Sequence, residues 1–273
     1  MIRYSCNVSM LFKEVPFLER FAMAREAGFA SVEFLSPFDS DLGELVAAIE
    51  GAGLHVVQYN FLDGNLAQGD RGFLSHPLKK PEWRESLEEA IDLAAEVEPR
   101  QLNSLAGNVL GDLSREEQSA CLEDNLRWAI PLLQAAGLPL MLEALNIYDN
   151  PDYLLSHSWD VLEILQRIDS PWVRFQCDVY HMQRMEGNLV ETIRKNIGYI
   201  GHIQIADSPG RHQPGTGEID YKFVLKALEE LGYERYVGLE YVPLGTTEES
   251  LAWLPFDKRK RSTADDLHLC SPH

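Results

Sequence analysis

A helix, a glycine and a short β-rich run recur along the chain at a spacing of about 30 residues, which is typical of a repeating structural unit. The glycines suit the left-handed residue that ends a helix. Strands that alternate with helices in this order predict βα units and a parallel sheet. Clear copies are 26-EAGFASVEF-34, 51-GAGLHVVQYN-60, 135-AAGLPLMLEA-144 and 231-LGYERYVGLEY-241.

Eight such alternations, without a break in composition, predict a single (β/α)8 TIM barrel over residues 1–254, and 273 residues suit that fold. An open doubly wound sheet is the alternative, but no GxGxxG motif follows any strand. The predicted strands are 3–7, 30–34, 54–60, 101–105, 139–144, 172–178, 200–206 and 236–241. The predicted helices lie near 15–27, 40–52, 80–97, 115–136, 157–168, 189–197, 221–231 and 247–254.

Composition excludes several classes of protein. The net charge of −19 argues against a nucleic-acid partner, because phosphates are bound by Lys and Arg. The four cysteines form no CxxC pair, which argues against a disulfide framework and predicts a reducing cytoplasm. The N-terminus lacks the apolar stretch of a signal peptide, and no run approaches the ~20 apolar residues of a membrane span. A membrane partner is therefore not expected.

Polar side chains follow four successive strands. The stretch 172-WVRFQCDVYH-181 is a buried strand that ends in Asp178, and Glu143, Gln204 and Glu240 stand at the ends of three neighbouring strands. The carboxyl ends of parallel strands meet at one edge of a barrel, where active sites lie. Three carboxylates and an amide oxygen are ligands that suit Mg²⁺ or Mn²⁺ better than zinc or copper.

Each of these residues also has an ordinary structural explanation. Glu143 or Glu240 could pair with an arginine, Asp178 could cap the following turn, and Gln204 could satisfy backbone groups. His181, three residues after Asp178, could be a hydrogen-bonded core histidine. Their occurrence together favours function, because clustered carboxylates repel one another unless a cation holds them.

Two connections after predicted strands are long, at residues 61–79 and 207–220. Loops of this length are commonly lids or binding loops, and solvated excursions are the alternative. They contain Arg71 and Arg211, which are candidate anchors for a substrate carboxylate through bidentate hydrogen bonds. A salt bridge that braces the loop is the competing explanation for each arginine.

The segment 255–273 differs from the rest of the chain and contains the basic run 258-KRKR-261. Such a run can be a targeting signal or a nucleic-acid patch. We favour a flexible or surface-docked tail, because the rest of the protein is strongly acidic.

Longer motifs make the chain resemble the hydroxypyruvate isomerase family, within the xylose-isomerase-like TIM barrel superfamily, over about residues 3–254. The resemblance implies a divalent metal held by the four strand-end residues, with Glu143 and Glu240 also acting as acid/base groups. It implies that His181 contacts substrate. Related ketose epimerases have His where Gln204 stands. The motifs are 7-NVSMLFKEVPFLERF-21, LNSLAGN, LEALNIYDNPDYLL, FQCDVYHMQRMEGNL, IGHIQIADSPGRHQPGTGEIDY and EYVPLGTT.

The resemblance implies a small anionic keto acid as substrate. The implied reaction interconverts hydroxypyruvate and tartronate semialdehyde through an enediolate. A 2-oxo-tetronate isomerase uses the same proton shift, and a ketose 3-epimerase is a further alternative. A metal-dependent phosphodiesterase and a non-enzymatic binding module fit the acidic composition and the clustered ligands less well. Association into a homo-oligomer is compatible with the sequence, but no feature specifies a number of subunits.

Overall fold

Eight parallel strands close into a barrel in the computed structural model, which describes residues 1–269. The first strand pairs with both the second and the eighth, so the sheet has no open side. The predicted (β/α)8 TIM barrel is thereby confirmed. The strands are β1 (Ile2–Asn7), β2 (Ser31–Phe34), β3 (His55–Asn60), β4 (Gln101–Ser104), β5 (Leu140–Glu143), β6 (Val173–Asp178), β7 (Ile200–Ile205) and β8 (Tyr236–Leu239).

The helices surround this barrel. Gly53 and Gly137 end two of them in the left-handed conformation, with φ of 61° and 69°. The helix after β6 was not predicted, because its seven residues are too few to show a helical period. The helices are α1 (Glu19–Glu26), α2 (Leu42–Ala52), α3 (Lys80–Val97), α4 (Arg115–Ala136), α5 (Ser158–Ile168), α6 (Val179–Met185), α7 (Leu189–Asn196), α8 (Tyr221–Glu230) and α9 (Thr247–Ser250).

The interior of the barrel is polar. Gln58 on β3 donates to Gln176 on β6 at 2.7 Å, and Gln204 on β7 donates to Glu33 on β2 at 2.7 Å. These bonds cross the barrel between strands that are not neighbours. Side chains alternate along each strand, so the apolar positions between these polar ones face outward, toward the helices. The hydrophobic core is therefore a shell between the strands and the helices.

Glu33 is a fully buried carboxylate at the centre of this interior. It accepts hydrogen bonds from Ser5, His202 and Gln204. Burial alone would raise the pKa of Glu33, but His202 and these hydrogen bonds outweigh it, and the pKa lies below its usual range. A buried charge is tolerated when it is paired and hydrogen-bonded in this way.

The segment after Leu254 lies against the amino-terminal end of the barrel. Strand β9 (Arg261–Ser262) pairs antiparallel with Ile2 and Arg3 of β1. Arg259 donates to the carbonyls of Leu254 and Ala27. Arg259 and Arg261 of the basic run thus contact other parts of the same chain. The separation of this tail from the barrel domain stays a prediction, and its residues 270–273 lie outside the described residues.

No helix in the described part of the chain, residues 1–269, is both long and apolar enough to cross a membrane.

Replacement of Gly238 by Ala should destabilise the barrel. A Cβ at this position of β8 would overlap with both carboxylate oxygens of Glu33. We expect Gly238→Ala to lower the free energy of unfolding by about 1–3 kcal/mol, as overpacking does in other cores. Chemical denaturation measures this change.

Gly51→Ala is the matched control, because a Cβ on this residue of α2 meets no atom within 4 Å. It should stabilise the protein by roughly 0.5–1 kcal/mol, the difference in helix propensity. A Gly238→Ala variant as stable as the wild type would show that Glu33 is not held in place against β8.

Candidate active site

Glu143, Asp178 and His181 come together at the carboxyl end of the barrel. Each offers one ligand atom, and these atoms all lie within 4.8 Å of one another. All three side chains are buried. The strands explain the placement, because Glu143 ends β5 and Asp178 ends the adjacent β6, while His181 lies in the first turns of α6.

Asp178 joins a strand to a helix and keeps one oxygen free. Its Oδ1 accepts the backbone N–H of Tyr180 at 2.8 Å, which caps α6. Its Oδ2 is buried and has no hydrogen-bond partner among residues 1–269. The nearest charged or ionisable nitrogens are Nε2 of His181 at 3.6 Å and a guanidinium nitrogen of Arg211 at 3.9 Å. A buried carboxylate oxygen without a partner fits a position for a ligand.

Gln176 links two of the predicted metal ligands. Its side-chain amide donates to Glu143 Oε2 at 2.9 Å and to Gln204 Oε1 at 2.7 Å. The other end of Gln204 donates to Glu33, so its oxygen is turned toward Gln176 and Glu143. The structure therefore places Gln204 beside Glu143, as the strand-end pattern predicts.

Glu240 lies outside the cluster of Glu143, Asp178 and His181. Its Oε1 accepts a hydrogen bond from Arg211 at 3.2 Å. Arg211 therefore bridges Glu240 and Asp178. Its Nε is buried and finds no acceptor in the described chain. Arg211 has both a fixed position at the site and a donor left for another anion.

His181 is held as a neutral hydrogen-bond donor. Its Nδ1 accepts the backbone N–H of Asn146 at 3.0 Å and lies 2.7 Å from the side-chain amide of Asn146. The proton of the neutral ring is therefore on Nε2, which faces Asp178. Burial lowers the pKa of His181 well below its usual range, and Arg211 and Arg184 add to this effect. Nε2 is thus better suited to donate to a substrate oxygen than to bind a metal.

The carboxylates of the site share one electrostatic problem. Burial raises the pKa of Glu143 well above its usual range, and the charges of Glu240 and Asp178 raise it further. Burial also raises the pKa of Asp178, and it raises that of Glu240 to about 8 although Arg211 acts in the opposite direction. Because only one arginine lies among these three carboxyl groups, their full ionisation would leave an excess of negative charge.

These residues fit a divalent cation. Carboxylate oxygens and the amide oxygen of Gln204 form a hard donor set, which suits Mg²⁺ or Mn²⁺. The unpartnered Oδ2 of Asp178 and the raised pKa values of the carboxyl groups indicate that a positive charge would stabilise the site.

Asp207 fixes the loop that carries Arg211. Its carboxylate accepts backbone N–H groups from five residues of residues 208–219. Arg211 has φ of 56°, in the left-handed region, and its backbone N–H donates to the carbonyl of Asp207. Backbone geometry that is unfavourable for arginine is therefore maintained by the loop around it. The role of Asp207 in organising this loop was not predicted from the sequence.

Arg71 already has hydrogen-bond partners within its own loop and at Asn150. Its guanidinium donates to Asn150 and to the carbonyls of Leu66 and Asp70. These bonds brace the loop that follows β3, which was the competing explanation. A direct role of Arg71 in substrate binding stays a prediction.

A second polar cluster, missed by the sequence analysis, lies at the ends of β3 and β4. Asn103 donates to Asn60 at 3.1 Å, and Asn60 donates to both carboxylate oxygens of Asp63. We call these three residues the β3–β4 wall. The polar residues at alternate positions of 55-HVVQYN-60 and 101-QLNS-104 would have indicated it.

Comparison with known proteins identifies the family. The family described as xylose isomerase-like TIM barrel matches residues 21–255. The hydroxypyruvate isomerase of Escherichia coli (strain K12) is 38% identical over 254 residues, which cover 93% of this chain and 98% of that protein. The chain belongs to the hydroxypyruvate isomerase family. It is accordingly an isomerase. A second relative, the 2-oxo-tetronate isomerase of Pectobacterium atrosepticum, is 36% identical over 93% of this chain and 97% of that protein.

Solved structures agree on the fold. A crystal structure described as AP endonuclease, family 2, from Brucella melitensis superposes with a TM-score of 0.90 and 37% identity, over 93% of this chain and 98% of that one. The apo form of a 3-keto-D-glucoside 4-epimerase from E. coli has a TM-score of 0.77 and 23% identity, over 93% of this chain and 98% of that one. Because the epimerase is only 23% identical to this chain, its similarity concerns the fold alone.

Addition of Mn²⁺ to EDTA-treated protein should raise the melting temperature more at about pH 8 than at about pH 6. The pKa of Glu240 is raised from 4.5 to about 8 in the folded chain, so the folded protein binds more protons than the unfolded chain between these values. The stability of the metal-free protein therefore falls as pH rises through this window. Bound metal compensates most where the carboxylates are ionised. Scanning calorimetry measures the shift.

The variant Glu240→Gln should flatten the pH dependence of melting in EDTA, because its side chain does not titrate. An unchanged melting temperature with Mn²⁺ at both pH values would contradict a cation site in this cluster.

Proposed function

We propose that this protein is a metal-dependent isomerase of short 2-oxo acids, with hydroxypyruvate and tartronate semialdehyde as its first candidate pair. One observation carries the proposal. Asp178 Oδ2 and Arg211 Nε are an acceptor and a donor, both buried at one site and both without partners in residues 1–269. A cation and a substrate anion would satisfy them. The names of the relatives supply the reaction class.

Arg211 is the proposed anchor for the substrate carboxylate. A guanidinium binds a carboxylate through two parallel N–H donors. The loop around Asp207 fixes its backbone, and the ring of Tyr180 lies 5.4 Å below its guanidinium carbon. Because Glu240 accepts from the same guanidinium, a bound substrate would lie with its carboxylate end next to Glu240.

Glu143, Asp178, Gln204 and Glu240 are the proposed holders of Mg²⁺ or Mn²⁺. Such a cation, when bound, supplies a positive charge that stabilises negative charge developing on the substrate oxygens. Hydrogen bonds within the chain orient the ligand oxygens. Gln204 is held by Gln176 and Glu33, and Gln176 also donates to Glu143.

Proton transfer between C3 and C2 is the central step of the proposed reaction. Removal of the C3 proton of hydroxypyruvate by a carboxylate gives an enediolate. Transfer of the hydroxyl proton from O3 to O2 and return of a proton to C2 then give tartronate semialdehyde. Glu143 and Glu240 are the proposed acid/base groups, because both carboxyl groups are buried at the site, at the end of β5 and directly after β8. His181 Nε2–H would donate a hydrogen bond to a substrate oxygen.

The four-carbon acid 2-oxo-tetronate is the second candidate substrate. Its C3 proton moves to C2 in the same way, and relatives named for this substrate are about as similar as the hydroxypyruvate isomerase, at 36% identity. The endonuclease description of the Brucella structure is less suitable here. A net charge of −19 is unfavourable for binding DNA phosphates.

The state of the cysteines indicates where in the cell the protein functions. Cys6, Cys121 and Cys177 are free thiols, and two of them are buried. Free thiols are typical of reducing compartments, so we propose the cytoplasm. A homo-oligomeric state stays a prediction.

Metal-stripped protein should isomerise hydroxypyruvate or 2-oxo-tetronate only after Mg²⁺ or Mn²⁺ is restored. Glu143→Gln and Glu240→Gln should each lower kcat by about 10²–10⁴-fold, the usual contribution of an acid/base group. Coupled assays of both substrates measure turnover.

Glu191→Gln is the control, because this carboxylate lies on α7 and pairs with Arg194 and Lys195 at the surface. Its kcat should equal that of the wild type. Wild-type turnover in Glu143→Gln or Glu240→Gln would remove that glutamate from the mechanism.

A further inference from the structure

We propose that the β3–β4 wall, formed by Asn60, Asp63 and Asn103, is a hydroxyl-binding subsite for the fourth carbon of the substrate. The chain would then prefer 2-oxo-tetronate over hydroxypyruvate. This inference rests on the proposed isomerase function and ranks its two candidate substrates.

The hydrogen bonds of the wall leave it ready to bind a hydroxyl group. Asn103 Nδ2 donates to Asn60 Oδ1, but Asn103 Oδ1 is buried and lacks a donor within residues 1–269. The carboxylate of Asp63 accepts only the amide of Asn60 among side-chain donors of the described chain. All three residues are at most 4% exposed. Buried acceptors of this kind are costly unless a donor reaches them.

The wall faces the same space as the metal-type ligands. Gln58 and Gln101 bond to each other and connect to Gln176 across the barrel interior. Asn60 and Asn103 lie two residues further along β3 and β4, and side chains two residues apart on a strand share a face. They therefore point into the barrel above the glutamines.

The substrate is expected to run from Arg211 toward this wall. Arg211 is carried by the loop after β7, and β3 lies across the barrel from β7 in the order of the strands. A 2-oxo acid that is anchored by its carboxylate at Arg211 places C2 and C3 at the central carboxylates. The next carbon continues away from Arg211. Hydroxypyruvate ends at C3, whereas 2-oxo-tetronate has a hydroxymethyl group there.

The test compares three substrates that share the same proton shift. These are 2-oxo-tetronate, its 4-deoxy analogue 3-hydroxy-2-oxobutanoate, and hydroxypyruvate. We expect the wild type to have a kcat/KM about 10- to 100-fold higher for 2-oxo-tetronate than for either the 4-deoxy analogue or hydroxypyruvate, because neither carries the C4 hydroxyl and the buried acceptors then stay unpaired.

Asn103→Ala and Asp63→Asn should reduce this preference by at least about tenfold and leave kcat/KM for the 4-deoxy analogue within about threefold. The control is Asn125→Ala, because Asn125 is equally buried but donates to the carbonyl of Leu74, outside the barrel interior. It should lower the melting temperature without a change in preference.

Different failures have different meanings. Turnover of 2-oxo-tetronate and its 4-deoxy analogue at equal kcat/KM would overturn the subsite and leave the isomerase function standing. An unchanged preference in folded Asp63→Asn and Asn103→Ala would do the same. If Asn103→Ala does not fold, the wild-type comparison and Asp63→Asn decide. Absence of turnover on all three substrates with metal present would overturn the isomerase function, and the subsite with it.

Discussion

A buried polar network inside the barrel is the constraint on which the rest of the structure depends. Glu33 sits in the middle of it, and its charge is kept by His202, Ser5 and Gln204. Removal of any partner would leave a polar group buried without compensation. The side chains that line this interior therefore cannot vary independently. Gly238 belongs to the same constraint, because only a residue without a side chain leaves room for Glu33.

This network also determines how well the site is organised. Gln204 and Glu143 are oriented by side chains below them rather than by solvent, so their oxygens are fixed before any ligand arrives. The cost is electrostatic, since the carboxylates at the strand ends repel one another in a place with little water. Arg211 offsets part of that repulsion. The remaining repulsion lowers the stability of the folded chain and makes the site favourable for a positive charge, as is common for functional sites.

The sequence predicted the barrel and the ends of its strands, because the spacing of glycines and apolar runs is a local signal. It also predicted that Asp178 ends one strand and that Arg211 lies in the loop after the next strand, as β6 and β7 show. It did not predict the interior, because Gln58 lies within β3, Asn103 lies one residue before the end of β4, and their hydrogen-bond partners are distant in sequence. An arginine pair for Glu240 and a loop brace for Arg71 were open alternatives. The sequence could not choose between them and a direct role, because that choice depends on tertiary packing, which no local pattern encodes.

The loop that Asp207 ties together has a consequence for binding thermodynamics. Its five backbone hydrogen bonds restrict the loop when the chain folds, so little conformational entropy remains to be lost when a substrate meets Arg211. Any closure over the substrate must then come from other segments. Association at this side of the barrel should resemble the docking of a ligand on a rigid surface, in which the loop itself loses little entropy.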